Sequence, residues 1–109
     1  MKTSEINFAV TLDDNRHPEK ITWKADDSGL QGEKECKALL LSVWDSSEAC
    51  TLRIDLWTKQ MMVEEMQHLV YETIRSLGET YQRATNDDKT AEELKQFAAR
   101  FGKMAGVLK

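Results

Sequence analysis

Long apolar runs are missing from this chain. The longest uninterrupted one, Ala38 to Leu41, is far below the ~20 residues of a membrane-spanning helix, so no membrane insertion is expected. Massed basic charge is missing too. The 15 Lys and Arg are scattered among 19 Asp and Glu, for a net charge of −4. Nucleic acid would need a basic stripe to displace counterions, so no nucleic-acid partner is expected. The opening Met1-Lys2-Thr3-Ser4-Glu5 carries charge where a signal peptide has its apolar segment. A cytoplasmic setting is therefore expected, and the two thiols, Cys36 and Cys50, agree with a reducing compartment. Histidine occurs twice and proline once, and Gly29 and Gly32 fall short of a phosphate-binding loop.

What is present suits one globular domain. A chain of 109 residues has room for no more than that. It is 40% apolar and 31% charged, an ordinary balance that does not suggest disorder.

The first half alternates with period two. Ile6, Phe8, Val10 and Leu12 share one face of a strand, and Ile21, Trp23 and Ala25 share a face of a second. Asp13 to Pro18 reads as the turn between them. Matching apolar faces pairs Leu12 with Ile21 and Val10 with Trp23. Asp26 to Glu33 reads as a loop, with Leu30 tucked beneath it. A third strand, Lys37 to Asp45, and a fourth, Cys50 to Trp57, pair Val43 with Leu52, Leu41 with Ile54 and Leu39 with Leu56. This leaves Ser46-Ser47-Glu48-Ala49 as a four-residue hairpin loop. A one-residue slip would turn every aliphatic to the wrong face. These six aliphatics are the expected sheet contribution to the core.

At Met61 the period changes. Met62, Met66, Leu69, Val70, Thr73, Leu77, Tyr81 and Ala84 make one helical stripe, with Glu64 and Glu65 suited to the positive end of its dipole. Met61, Met62 and Met66 are expected to fill gaps in the core. Gly78 suggests a close approach to the sheet. After Asn86-Asp87-Asp88, Thr90-Ala91-Glu92-Glu93 matches a capping box. A second helix then carries Leu94, Phe97, Ala98, Phe101, Met104 and Leu108. Strands first and helices after imply an α+β fold: a four-stranded antiparallel meander followed by two helices packed on one face.

No catalytic constellation emerges. His17 lies in a turn, and His68 lies off the helical stripe with no Ser or Cys partner implied. Two Cys and two His lack any metal-ligand spacing, so no metal and no cofactor is expected. The hairpin register sets Cys36 and Cys50 nine residue levels apart, too far for a disulfide at ~3.3 Å per residue. The acidic pairs Asp13-Asp14, Asp26-Asp27, Glu64-Glu65, Asp87-Asp88 and Glu92-Glu93 lie in turns or first helical turns. Turn bonding and dipole complementation explain them there. The chain is expected not to be an enzyme.

Several segments resemble the gliding motility protein GldC family as a set. They are Leu40-Leu41-Ser42-Val43-Trp44-Asp45, Leu52-Arg53-Ile54-Asp55-Leu56-Trp57-Thr58-Lys59, Met62-Val63-Glu64-Glu65-Met66 and Arg83-Ala84-Thr85-Asn86-Asp87. The opening Ser4-Glu5-Ile6, Trp23 and Ala25-Asp26-Asp27 fit the same pattern. Gln60 departs from it, and the two cysteines are outside it. The resemblance implies a cytoplasmic accessory of bacterial surface gliding and its linked secretion apparatus, and supplies no catalytic or ligand residues. Element order alone is similar to the secretion chaperone SecB, which leaves a chaperone module binding unfolded polypeptides as the alternative.

One surface stands out. With Leu39, Leu41 and Val43 turned to the core, Ala38, Leu40 and Trp44 point outward, and Trp57 stands opposite Ala38 on the same face. Arg53 and Asp55 lie there as well. Unless a bulge shifts the strand, an apolar outer face asks for cover, either from the Asp26 to Glu33 loop with Leu30 or from a partner. Leu40, Trp44 and Trp57 are therefore the candidate interface residues, for self-association into a homo-oligomer or for a protein of the gliding machinery.

Overall fold

The computed structural model describes residues 1–27, 29 and 32–109. Leu30, and with it the expectation that it sits under its loop, lies outside the described residues. The elements run β1 (Ile6–Leu12), β2 (Pro18–Ala25), β3 (Lys34–Cys36), β4 (Ala38–Asp45), β5 (Cys50–Trp57), α1 (Val63–Thr85) and α2 (Asp88–Met104). They divide into two compact units, Met1–Met61 and Met62–Lys109. The α+β class expected from the sequence is what forms, with antiparallel strands and two helices.

The single four-stranded meander does not form. The strands make a three-stranded sheet, β1-β2-β3, and a two-stranded one, β4-β5. The added strand is β3, which runs almost directly into β4, with Lys37 between them. The segment thus changes partner at Lys37, from β2 to β5. The β2–β3 ladder holds Ile21 opposite Cys36. Continuing it would set Lys20 against Lys37, like charge against like, and would bring Pro18, which has no N–H, opposite Leu39. The ladder ends before either pair.

Between β1 and β2 the register differs by two from the expected one: Val10 faces Ile21 and Phe8 faces Trp23, with an irregularity between Thr11 and Leu12. A shift of two keeps every side chain on its expected face. The cause is a tighter turn. Asp13 Oδ1 accepts from the N–H groups of Asn15 and His17, both at 2.9 Å, and Asp13 N–H donates to His17 O at 2.9 Å. Arg16 sits in the left-handed region at φ 65°. Ile21, at the centre of this sheet, is the large side chain fully withdrawn from solvent among the described residues. Cys36 lies across from it, and burial pushes its thiol pKa up.

The β4–β5 hairpin has the expected register throughout: Val43 opposite Leu52, Leu41 opposite Ile54, Leu39 opposite Leu56. Its four-residue loop is tied by Asp45. Asp45 Oδ2 accepts from Glu48 N–H at 2.7 Å and from Ser47 Oγ at 3.0 Å, and these bonds hold its pKa below the usual carboxylate range.

In the helical unit, α2 starts three residues before the expected capping box. Asp87 is the N-cap and accepts from Thr90 N–H at 3.2 Å and from Tyr81 Oη at 2.9 Å. At the start of α1, Glu65 Oε1 accepts from Met62 N–H at 2.9 Å. Of the expected α1 stripe, Leu77 is 52% exposed, while the neighbouring Gly78 is buried. An added Cβ at Gly78 would meet Lys95 Cγ at 2.9 Å and Ala91 O at 3.5 Å. The close approach is thus to α2. Ala91, Ala98 and Gly102 are the buried residues of α2, while Phe97 and Met104 are exposed. Met62 is exposed as well, so it does not fill a core gap.

Candidate functional site

The β4–β5 hairpin carries all three candidate interface residues. Even-numbered residues of β4 and odd-numbered residues of β5 share the outer face, because cross-strand partners lie on the same side of a sheet. That face reads Ala38, Leu40, Ser42 and Trp44 on β4, against Trp57, Asp55, Arg53 and Thr51. Leu40 is 37% exposed, Trp44 69% and Trp57 54%. The structure brings Leu40 and Trp57 together, since they occupy adjacent levels with Ala38 beside them. Trp44 stands apart, six residues along the strand from the Ala38–Trp57 pair, or ~20 Å at ~3.3 Å per residue. Between them lies a charged pair. Arg53 Nη2 and Asp55 Oδ2 are 3.6 Å apart and both side chains are more than half exposed. The outer face is therefore two aromatic ends around an ionic centre.

The opposite face is the more uniformly apolar one. Leu39, Leu41, Val43, Leu52, Ile54 and Leu56 form a continuous aliphatic surface. They were expected as core, yet Val43 is 48% exposed, and Leu52 and Ile54 are each 51% exposed. Leu39, Leu41 and Leu56, at the other end, are half-buried. Alternation identified which residues share a face; it did not show what covers them. A two-stranded sheet with apolar side chains on both faces is marginal alone and asks for cover on each.

Where β5 ends, a concave surface of about 410 Å³ opens against the β1–β2 turn, lined by His17, Pro18, Leu56, Trp57 and Lys59 among others. Lys59 Nζ reaches Asp13 Oδ2 at 2.7 Å. That bond, with the donated His17 N–H, lowers the Asp13 pKa to about 2 and raises that of Lys59. Thr58 is 3% exposed, and its hydroxyl finds no hydrogen-bond partner among the described residues. The Asp13 carboxylate therefore ties the turn to the end of β5 while it is ionised. A depressed carboxylate contributes stability above its unfolded pKa of about 4 and loses it as pH falls through the folded value. Acidification from pH 4 to pH 2 should accordingly release the turn, seen as faster amide exchange at Asn15 and His17 relative to β4 and β5. Asp13→Asn should already show that exchange at neutral pH. Unchanged protection in the variant would refute the tie.

His68 is exposed, as its position off the stripe implied. Cys50 faces Asp45 beside the hairpin loop, and Cys36 is in the other sheet. Among the described residues no three His, Cys, Asp or Glu side chains are grouped to hold a metal ion. No helix among them is long and apolar enough to cross a membrane. A family model described as gliding motility-associated protein GldC-like matches residues 18–106. No curated protein and no solved structure matches.

Proposed function

The chain belongs to the GldC-like family of gliding motility-associated proteins, and from that premise we propose that it is a non-enzymatic accessory that binds a protein of the gliding and secretion machinery through its β4–β5 hairpin. The observation that carries this reading is the hairpin itself. It is eight residue pairs long and regular, with apolar side chains exposed on both faces. Buried aromatic anchors dominate interfaces of this kind. Action in the cytoplasm and self-association are parts of the same proposal, the first following from the family membership and the second from the exposed aliphatic face.

The alternative, a SecB-like module for unfolded polypeptides, differs in what it would bind. Purification from gliding cells, followed by titration of each purified co-eluting component, separates the two. Saturable 1:1-type binding to one folded component supports the accessory reading. Comparable affinity for many unrelated unfolded chains, with none for a folded component, would replace it with the chaperone reading.

A further inference from the structure

β5 is an unusual edge. It runs from Cys50 to Trp57 without Gly, Pro or a bulge, and among the described residues only β4 pairs with it. Such an edge is a template for another strand unless something blunts it. The other edges of the unit are less suited: β3 is three residues long, and β1 is irregular at Thr11/Leu12. β4 is equally long, but its only charge, Asp45, is at the loop end and cannot set a register.

The backbone shows which groups of β5 are available. Thr58 N–H donates to Lys37 O at 2.8 Å, one step beyond the Ala38–Trp57 pair. In an antiparallel ladder the bonded residues alternate. The even-numbered residues of β5 thus turn their N–H and C=O toward β4. Thr51, Arg53, Asp55 and Trp57 turn theirs to the free edge.

We propose that β5 pairs antiparallel with β5 of a second copy of this chain about a two-fold axis at Ile54, joining the two hairpins into one four-stranded sheet. The charges select that register. With Ile54 facing its equivalent, Arg53 stands opposite the partner's Asp55 and Asp55 opposite the partner's Arg53. Leu52 then meets the partner's Leu56, and Thr51 the partner's Trp57. Moving the axis by one residue either way faces Arg53 with its own copy or Asp55 with its own copy, and like charges directly opposite are destabilising. Placing the axis between two residues pairs odd with even, which mismatches both the free backbone groups and the faces. The surviving register bonds Thr51, Arg53, Asp55 and Trp57 on each strand. It also doubles the aliphatic face of Leu39, Leu41, Val43, Leu52, Ile54 and Leu56. The contact is isologous and closes as a dimer. The partner's hairpin loop arrives beside the concave surface at His17 and Lys59. This arrangement rests on the reading of the hairpin as a contact surface and names one occupant of it.

Sedimentation over a concentration series tests the register by charge exchange. The wild-type chain is expected to dimerise. Arg53→Asp alone, and Asp55→Arg alone, each set like charges opposite twice per dimer and should weaken association by about tenfold to a hundredfold. An equimolar mixture of the two single variants restores both opposite-charge pairs and should dimerise like wild type. So should Arg53→Asp/Asp55→Arg, which also serves as the measurement if a single variant fails to fold. A monomeric wild type, single variants that dimerise normally, or a mixture and double exchange that both stay monomeric would each overturn the proposal. None of these results bears on binding to a machinery protein, which is measured separately.

Discussion

Replacing Gly102 with valine should lower the melting temperature by about 10 °C or more, the largest stability effect expected of a single change in the helical unit. Gly102 is buried in α2, and an added Cβ would lie 2.9 Å from Leu108 Cγ, Leu108 Cδ1 and Tyr71 Cδ1. Those atoms are held from two directions. Tyr71 belongs to α1, while Leu108 is folded back by the end of α2 itself. There Gly106 takes φ 82°, its N–H donates to Lys103 O at 3.2 Å, and Val107 N–H donates to Gly102 O at 2.8 Å. This is a Schellman ending, which needs a residue at ease in the left-handed region. The valine must therefore displace either the C-terminal tail or α1, and overpacking of this kind costs about 1–3 kcal/mol. Leu108→Ala removes the Leu108 Cγ and Cδ1 contacts. Combined with Gly102→Val it should cost less than the sum of the two single changes, because the two sites share one space. A valine variant that melts like wild type, or strict additivity, would show that the tail is not packed there.

How far the sequence alone could be read depended on where the deciding interaction lay. The β4–β5 register was legible because Leu39, Leu41 and Val43 and Leu52, Ile54 and Leu56 repeat with period two around a four-residue loop. Asp13 set the β1–β2 register through bonds to its own turn, which hydrophobic matching does not register. The strand Lys34–Cys36 has no apolar alternation to reveal it; β2 makes it a strand. On α1 the expected stripe includes Leu77, which is exposed, while Gly78, read as a close approach to the sheet, lies against Ala91 of α2 instead. The candidate interface was legible as a face but not as a layout. Leu40, Trp44 and Trp57 do share one side, yet distance along the strand divides them.

That division makes the last expected result an asymmetric one. Trp57→Ser should weaken capture of a gliding-machinery partner by about thirtyfold or more, the ~2 kcal/mol typical of losing a buried aromatic anchor. Trp44→Ser should weaken it by a few-fold at most. Trp57 has neighbours that shelter a contact: Leu40 and Ala38 lie across the strand pair, and the concave surface at His17 and Pro18 opens beside it. Anchors work where surrounding contacts exclude water. Trp44 is 69% exposed at the loop end, opposite Thr51, with the Arg53–Asp55 pair between it and the other cluster. A partner covering both ends would have to bridge ~20 Å and desolvate that ion pair, which is costly unless it is matched by new hydrogen bonds. Neither tryptophan is buried, so both variants should keep the wild-type melting temperature within a few degrees. Binding titrations with the purified partner, beside a thermal melt of each variant, decide the matter. Equal losses from the two substitutions would mean that the outer face binds as one surface, and no loss from either would move the interface to the aliphatic side of the hairpin.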